Sequence, residues 1–424
     1  MKIAVIGGGI TGLTSAYFLG RAGYKVELFE AKETLGGLAD SYKERKWDWQ
    51  LEKYFHHYFT SDKYVKNLAE ELGIEKKLFF KKVQTSVYSG GNIYPFDEPL
   101  DIMKYPDLNN FSKLRMGGII FFLRLLPYLP FYDRFTAEGL FSSLIGNTAW
   151  QKVWQPLMEN KFHQYTDKVT FSWLWARLKK RSQKLGYFEG GTAVLISKLQ
   201  EEIEKKSKIR FKTRITSIKK SENKWILAAE KREFTADKVI IAVPLSQALK
   251  LIQTWKELRD KKVSTWRGLK ANSAMTLVMR LEKKFLPGNS YWLNVLEKDY
   301  PFLVIVEQTN FIDANKYGGE NVVYVGGYYP QEDSRLRKSK EEILGEFSPY
   351  LRRLNPSFEN YLIDYQLFKY PDAQPIIPTN YSKIKPKTSL ISDQLFWATA
   401  NHIFPWDRGV NYSIKIGKEI AAKI

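Results

Sequence analysis

The sequence predicts an α/β chain of two parts, one formed on a parallel sheet and the other on an antiparallel sheet with helices. Three observations carry that expectation. The first forty residues read as strand, glycine turn, helix and strand; a buried parallel-type strand returns at Val239–Pro244, and a strand, loop and helix close the chain over Leu395–Gly417; four apolar, β-rich segments succeed one another between 274 and 329.

Lys2–Ile6 is an apolar, β-branched run that breaks at once into Gly7, Gly8, Gly9, Ile10, Thr11 and Gly12, after which Leu13–Ala22 carries apolar positions at helical spacing. Gly7 permits the tight turn, Gly9 leaves room for a pyrophosphate beside the backbone, and Gly12 lets the helix lie close to the strand. The free N–H groups where the helix opens, at Ile10 and Thr11, and its dipole favour phosphate charge. A second strand, Lys25–Phe29, ends in Glu30, near the roughly 20-residue offset at which an acid accepts ribose hydroxyls. A lone glycine pattern is weak, but here strand, helix, strand and acid fall in register. The unit reads as a Rossmann-like binder of an adenine dinucleotide.

After Glu30 come Ala31, Lys32, the pair Gly36 and Gly37, and Leu38. This spacing resembles the extended fingerprint of the flavoproteins that include amine oxidases, protoporphyrinogen oxidases, phytoene desaturases and UDP-galactopyranose mutases. The resemblance implies FAD, with the diglycine close to its pyrophosphate and ribityl chain. It extends along the chain. Trp150–Phe162 is similar to a substrate-domain helix that ends near the flavin, and Leu185–Leu195, with Gly190 and Gly191, to the glycine pair that leads back to the FAD domain. Val239–Pro244, including Val243, matches a recurring FAD-domain strand, and the backbone around Ile215 would edge the adenine. Tyr370–Pro375 resembles a turn before the last FAD segment. There the family strand often ends in Gly-Asp, whereas this chain has Ala400 and Asn401. Asp407, Gly409, Val410 and Asn411 would then open a helix whose N–H groups face the flavin.

Composition narrows the chemistry. With 424 residues, 44% apolar and 15% aromatic, the chain has ample core. It contains no cysteine, which excludes disulfides, thiolate metal sites and a cysteinyl flavin link; a flavin here is either noncovalent or joined through another residue type, and noncovalent FAD is the expectation. The net charge of +20 suits an anionic membrane face or an anionic substrate, and solvated lysine-rich helices explain it equally well. No nucleic-acid module accompanies the charge, so nucleic acid is not an expected partner. A strand that begins at residue 2 leaves no room for a signal peptide, which predicts a cytoplasmic protein, peripheral at the inner membrane face if the membrane reading holds.

Candidate catalytic residues come from both parts. His56 and His57 stand in an aromatic stretch, Glu52–Phe59, expected near the flavin ring; as neighbours they cannot both face one metal, and no metal site is predicted. Tyr291, Glu307 and Tyr328 fall on the successive strands and would line a pocket wall, Glu307 being an acid inside an apolar run. Asp62 should cap a helix ending at Gly73, Thr192 should cap the helix 193–206, and Val83–Ile93 should be a hairpin turning at Gly90 and Gly91. Residues 245–260 read as helix. Residues 110–162 read as helical, and Met116–Leu126 is too short to span a bilayer; flanked by Lys113, Arg115 and Arg124, it fits an interfacial helix as well as a buried one.

The expected FAD domain is discontinuous, over 1–60, 185–245 and 385–424, with 61–184 and 246–384 forming the substrate domain. The leading function is FAD-dependent oxidation or desaturation of an apolar or membrane-derived small molecule. Two alternatives stand beside it: a UDP-galactopyranose mutase-like isomerase acting on a nucleotide sugar with reduced flavin, and a non-catalytic FAD-binding protein at a membrane.

Overall fold

The computed structural model describes residues 1–230, 232–253, 261–391 and 393–424. Its first layer is a six-stranded sheet in the order Lys208–Arg210, Lys25–Phe29, Lys2–Ile6, Lys238–Ile241, Leu395–Trp397, Ser389–Ile391. All pairings are parallel except the last. Three stretches far apart in sequence therefore share one sheet. The helix Ile10–Arg21 covers it, packed against Val410–Ala421 and Ala193–Glu204. The inner strands bury nearly every side chain, as a sheet covered on both faces requires.

The second layer is a seven-stranded sheet in the order Leu362–Pro375, Ala271–Leu281, Asn321–Tyr329, Val304–Glu307, Ser290–Val295, Gln84–Ser89, Asn92–Pro95. The four expected strands are here, but the sheet is not wholly antiparallel, because Ser290–Val295 pairs parallel with Gln84–Ser89. The expected hairpin turns at Gly90 and Gly91, with φ of 57° and 77°. The long edge strand Leu362–Pro375 went unrecognised: Pro371 makes Tyr370–Pro375 read as a turn, whereas a sheet edge next to a bulge tolerates proline. The helices Asn110–Leu125, Ala137–Ile145, Gln155–Phe162 and Phe171–Lys180 pack beside this sheet around one apolar core.

Local capping differs from expectation at two helices. Asp62 does not cap Lys63–Glu71; its carboxylate accepts from Phe59 N at 2.9 Å, and the helix start is capped by Asn411 Oδ1, which accepts from Tyr64 N and Val65 N at 2.9 and 3.2 Å. Thr192 does not cap its helix either; its N–H donates to Glu52 Oε1 at 2.6 Å and its hydroxyl meets that of Tyr58 at 2.9 Å. The close approach at Gly191 is to the chain itself, since a Cβ there would lie 2.6 Å from Gln50 O. The helix expected over 245–260 is Leu245–Leu251, and 254–260 lies outside the described residues.

Candidate functional site

The glycine turn forms a cradle. Gly7 has φ 106° and Gly36 φ 108°, conformations that favour glycine. A Cβ on Gly12 would sit 1.9 Å from Gly7 O, so helix and turn touch backbone to backbone. A Cβ on Gly9, by contrast, would meet no atom within 4 Å. Gly9 thus borders the open side of the cradle, beside the first-turn N–H groups of Ile10, Thr11 and Gly12, which have no partner within their helix. Gly36 N donates to Gly8 O at 2.8 Å, and a Cβ on Gly37 would lie 3.4 Å from Gly9 Cα, which lays the diglycine on the loop.

Glu30 stands where the second strand ends: one carboxylate oxygen accepts from Gly8 N and the other from Lys32 N, both at 2.8 Å. Lys212 N and Thr213 N donate to Lys32 O and Glu30 O at 3.0 and 2.8 Å, so the chain leading to Ile215 runs along Glu30, Ala31 and Lys32. The Ile215 side chain is buried in the core with Phe29 and Trp225, which leaves its backbone for that edge. Val243 Cγ1 lies 2.8 Å from where a Cβ on Gly7 would be.

At the carboxyl end of the parallel strands, the edge on which such sheets bind ligands, two donors lack partners. Asn401 is 3% exposed and Asn411 4%, and the side-chain N–H groups of both are buried without an acceptor. The closing helix starts later than expected, at Val410 after Gly409. Asp407 is therefore not its first residue, and its carboxylate is already committed: it accepts from Trp173 Nε1 at 3.0 Å and pairs with Arg177 at 2.5 Å. Burial alone would raise its pKa, but Arg177, then Lys161 and Arg408, hold it at about 2. Asp407 thus serves as an ion-pair anchor in the cavity wall. The cradle beside Gly9, the acid at Glu30 and the orphaned amides of Asn401 and Asn411 together fit a flavin dinucleotide.

A cavity of about 360 Å³ opens where these groups end. Leu38, Gly409, Val410 and Asn411 belong to its wall, so the diglycine segment and the closing helix both reach it. His56 and His57 also line it. Burial, then Arg181, pushes His57 down to about 3, and burial also lowers His56, whose Nδ1 lies 2.5 Å from Tyr54 O. Both rings are neutral at pH 7. Tyr328 lines the same wall and accepts a hydrogen bond from Arg408. No group of three or more His, Asp or Glu among the described residues could hold a metal ion.

Two expected wall residues lie elsewhere. Glu307 is fully buried behind the sheet, where its carboxylate accepts from Phe285 N and Leu286 N at 3.1 and 2.7 Å. Burial raises it to about 7, although these amides oppose the shift. It is a loop anchor and does not line the cavity. Tyr291 is also fully buried, packed on Phe311 with its hydroxyl unpartnered, and lies outside the lining. Strand alternation cannot tell the cavity face of a sheet from its packed face when both are apolar.

The sequence reading missed Lys161, Arg177 and Arg408. Lys161 is 8% exposed and lines the cavity amid the rings of Tyr328, Trp173 and Phe162, at 4.7, 5.1 and 5.9 Å. Burial, then Arg177, lowers its pKa well below that of an ordinary lysine. A signal was available: the positions three and four residues either side of Lys161 are Met158, Gln164, Leu157 and Tyr165, so no helical neighbour can pair it.

A model of the family described as flavin containing amine oxidoreductase matches residues 10–384. The chain belongs to that family. Its cofactor is accordingly a flavin. This amine oxidoreductase is 30% identical over 154 residues to 15-cis-phytoene desaturase of Arabidopsis thaliana, a match covering 35% of the chain and 25% of that protein. It is 23% identical to coproporphyrinogen III oxidase of Staphylococcus aureus over 57% of the chain and 60% of the relative. The chain thus spans between 14% and 60% of the first curated relatives it matches. Its fold is that of reduced UDP-galactopyranose mutase, with a TM-score of 0.76 at 15% identity, covering 99% of this chain and 94% of the other.

Proposed function

We propose that this chain is an FAD-dependent oxidoreductase, an oxidase or desaturase, acting on an apolar or amphipathic small molecule, with the FAD held noncovalently. The carrying observation is that the cavity adjoins the closing helix and is walled chiefly by apolar and aromatic side chains such as Val87, Phe96, Trp154, Leu157 and Trp292. Bound FAD supplies the two-electron acceptor for a C–H or C–N bond of the substrate. The chain's own groups bind, orient and desolvate. Gly9, Ile10, Thr11 and Gly12 would take the pyrophosphate, Glu30 the ribose, and Asn401 with Val410 and Asn411 the flavin end. Lys161, whose pKa burial lowers well below that of an ordinary lysine, would accept the proton that leaves the substrate. A peripheral, cytoplasmic-side position accords with this reading.

One observation favours a second reading, the sugar-nucleotide mutase. Lys161, Arg177, Lys180, Arg181 and Arg408 line the cavity against three acids, Asp62, Asp97 and Asp407, a surplus that suits a diphosphate. The absorbance of the holoprotein separates the two. Bleaching of oxidised flavin by an apolar C–H donor, such as a polyene or porphyrinogen, supports the oxidoreductase. A spectrum perturbed by UDP-sugar only after dithionite reduction, with no net acceptor turnover, supports the mutase.

A further inference from the structure

The apolar surface of the molecule is concentrated in one place. Of the twelve large apolar side chains left exposed among the described residues, ten lie between residues 100 and 135. Phe111, Leu114, Phe121, Phe122 and Leu125 are each more than 60% exposed. On the helix Asn110–Leu125 they recur at helical spacing, opposite the buried Met116 and Leu123, so the helix is apolar on its outer as well as its inner face. Leu126, Phe131 and Phe135 continue the patch into the following loop. Monomeric proteins rarely leave so contiguous an apolar face to water.

Basic side chains outnumber acidic ones around this face, where Asp107 and Glu138 are the exposed acids. Lys104, Arg115, Arg124 and Arg134 are all exposed within it. Arg115 and Arg124 spend their hydrogen bonds on the carbonyls of Leu144, Ser143 and Arg181 rather than on carboxylates. Their positive charge therefore remains available to an anionic partner, in a chain of net charge +20. No described helix is long and apolar enough to cross a membrane, which fits a helix lying in the interface plane.

The face is also tied to the cavity. Lys179 Nζ donates to Arg124 O, Leu125 O and Leu126 O at 2.5, 3.2 and 3.0 Å, and Arg124 donates to Arg181 O at 2.9 Å. Lys180, Arg181, Ser182 and Gln183 form the accessible rim of the cavity. We propose that the face of Asn110–Leu125 and the loop to Phe135 docks on an anionic lipid bilayer, with the rim of the cavity turned toward the lipid. Outward phenylalanines and leucines enter the acyl boundary while the arginines meet phosphate headgroups, and the rim at Arg181 follows because it is hydrogen-bonded to the docked helix.

Co-sedimentation of the full-length holoprotein with vesicles tests this. Vesicles of phosphatidylcholine mixed with phosphatidylglycerol should pellet the protein, and vesicles of phosphatidylcholine alone should bind it about tenfold more weakly. The triple variant Phe121→Ser, Phe122→Ser, Leu125→Ser should keep its flavin and its melting temperature, because these side chains are each more than 60% exposed and outside the buried core, and should lose about tenfold in binding to the anionic vesicles. Absence of binding to either vesicle overturns the proposal, as does undiminished binding of the triple variant. Light scattering that shows a dimer converted to a monomer by the triple substitution overturns it too, by assigning the face to a second copy. Flavin turnover with a soluble substrate is measured separately, so failure of docking leaves the oxidoreductase reading intact.

Discussion

The glycine cradle and the cavity are neighbours built by opposite means. The cradle is continuous in sequence: Gly7, Gly9, Gly12, Glu30 and Gly36 sit within thirty residues, and Gly7, Gly12 and Gly36 are each demanded by a backbone distance or torsion. The cavity gathers Leu38, His57, Lys161, Arg177, Tyr328 and Asn411 from segments hundreds of residues apart. Local geometry constrains residue type in the first, whereas tertiary packing alone decides membership in the second. The difference teaches that the cofactor half announces itself as a motif while the substrate half must be seen folded.

Substitutions that separate fold from chemistry sharpen this contrast. The largest effect belongs to Gly12→Val in the cradle. Its Cβ would lie 1.9 Å from Gly7 O, against backbone that cannot yield, and the expected loss is about 3 kcal/mol or more of stability, read by chemical denaturation. Equal stability would mean that the helix does not press on the turn.

Glu307 supplies the next test, because its role changes from catalysis to anchoring. Folding raises its carboxyl from an ordinary 4.5 to about 7, so between those values the folded state binds the extra proton. Its contribution is therefore full below pH 4.5 and is lost as pH rises through 7, by about 3 kcal/mol in all. Denaturation curves of the native chain and of Glu307→Gln at several pH values should show this slope in the first and not in the second, with turnover retained in the variant. Loss of turnover with stability intact would return Glu307 to the active site.

In the cavity, Lys161→Met should leave flavin content and melting temperature unchanged and lower kcat/KM about a hundredfold, the scale of a lost proton acceptor. Unchanged kinetics would reduce Lys161 to packing among Trp173 and Tyr328. The smallest effect is expected where the two regions touch. Asn411→Ala removes the cap on Lys63–Glu71 and should cost about 1 kcal/mol, measurable as a lower denaturation midpoint.

Legibility followed the same division. The strand–turn–helix, the return of the chain to the parallel sheet, the hairpin at Gly90 and Gly91 and the strands from 271 to 329 could all be read, because periodicity and glycine positions encode them. Tyr328, His56 and His57 line the cavity, although nothing in their periodicity set them apart from Tyr291. Capping was misread at Asp62 and Thr192, since Asn411, which caps the first of these helices, lies 347 residues from Tyr64, and Glu52, which accepts from Thr192 N, lies 140 residues from it. Pro371 concealed an edge strand, and Lys161 was passed over because its aromatic box is assembled from the helix Phe171–Lys180 and the strand Asn321–Tyr329.

The most direct measurement compares the visible absorbance of the purified native chain with that of Gly9→Val. A Cβ on Gly9 meets nothing in the protein, so the variant should fold with the melting temperature of the native chain stripped of flavin, and the larger side chain should fill only the space proposed for the pyrophosphate. The account predicts stoichiometric flavin absorbance in the native chain and none in the folded variant. Full flavin content in folded Gly9→Val, or a native chain that stays colourless when reconstituted with FAD, would contradict it.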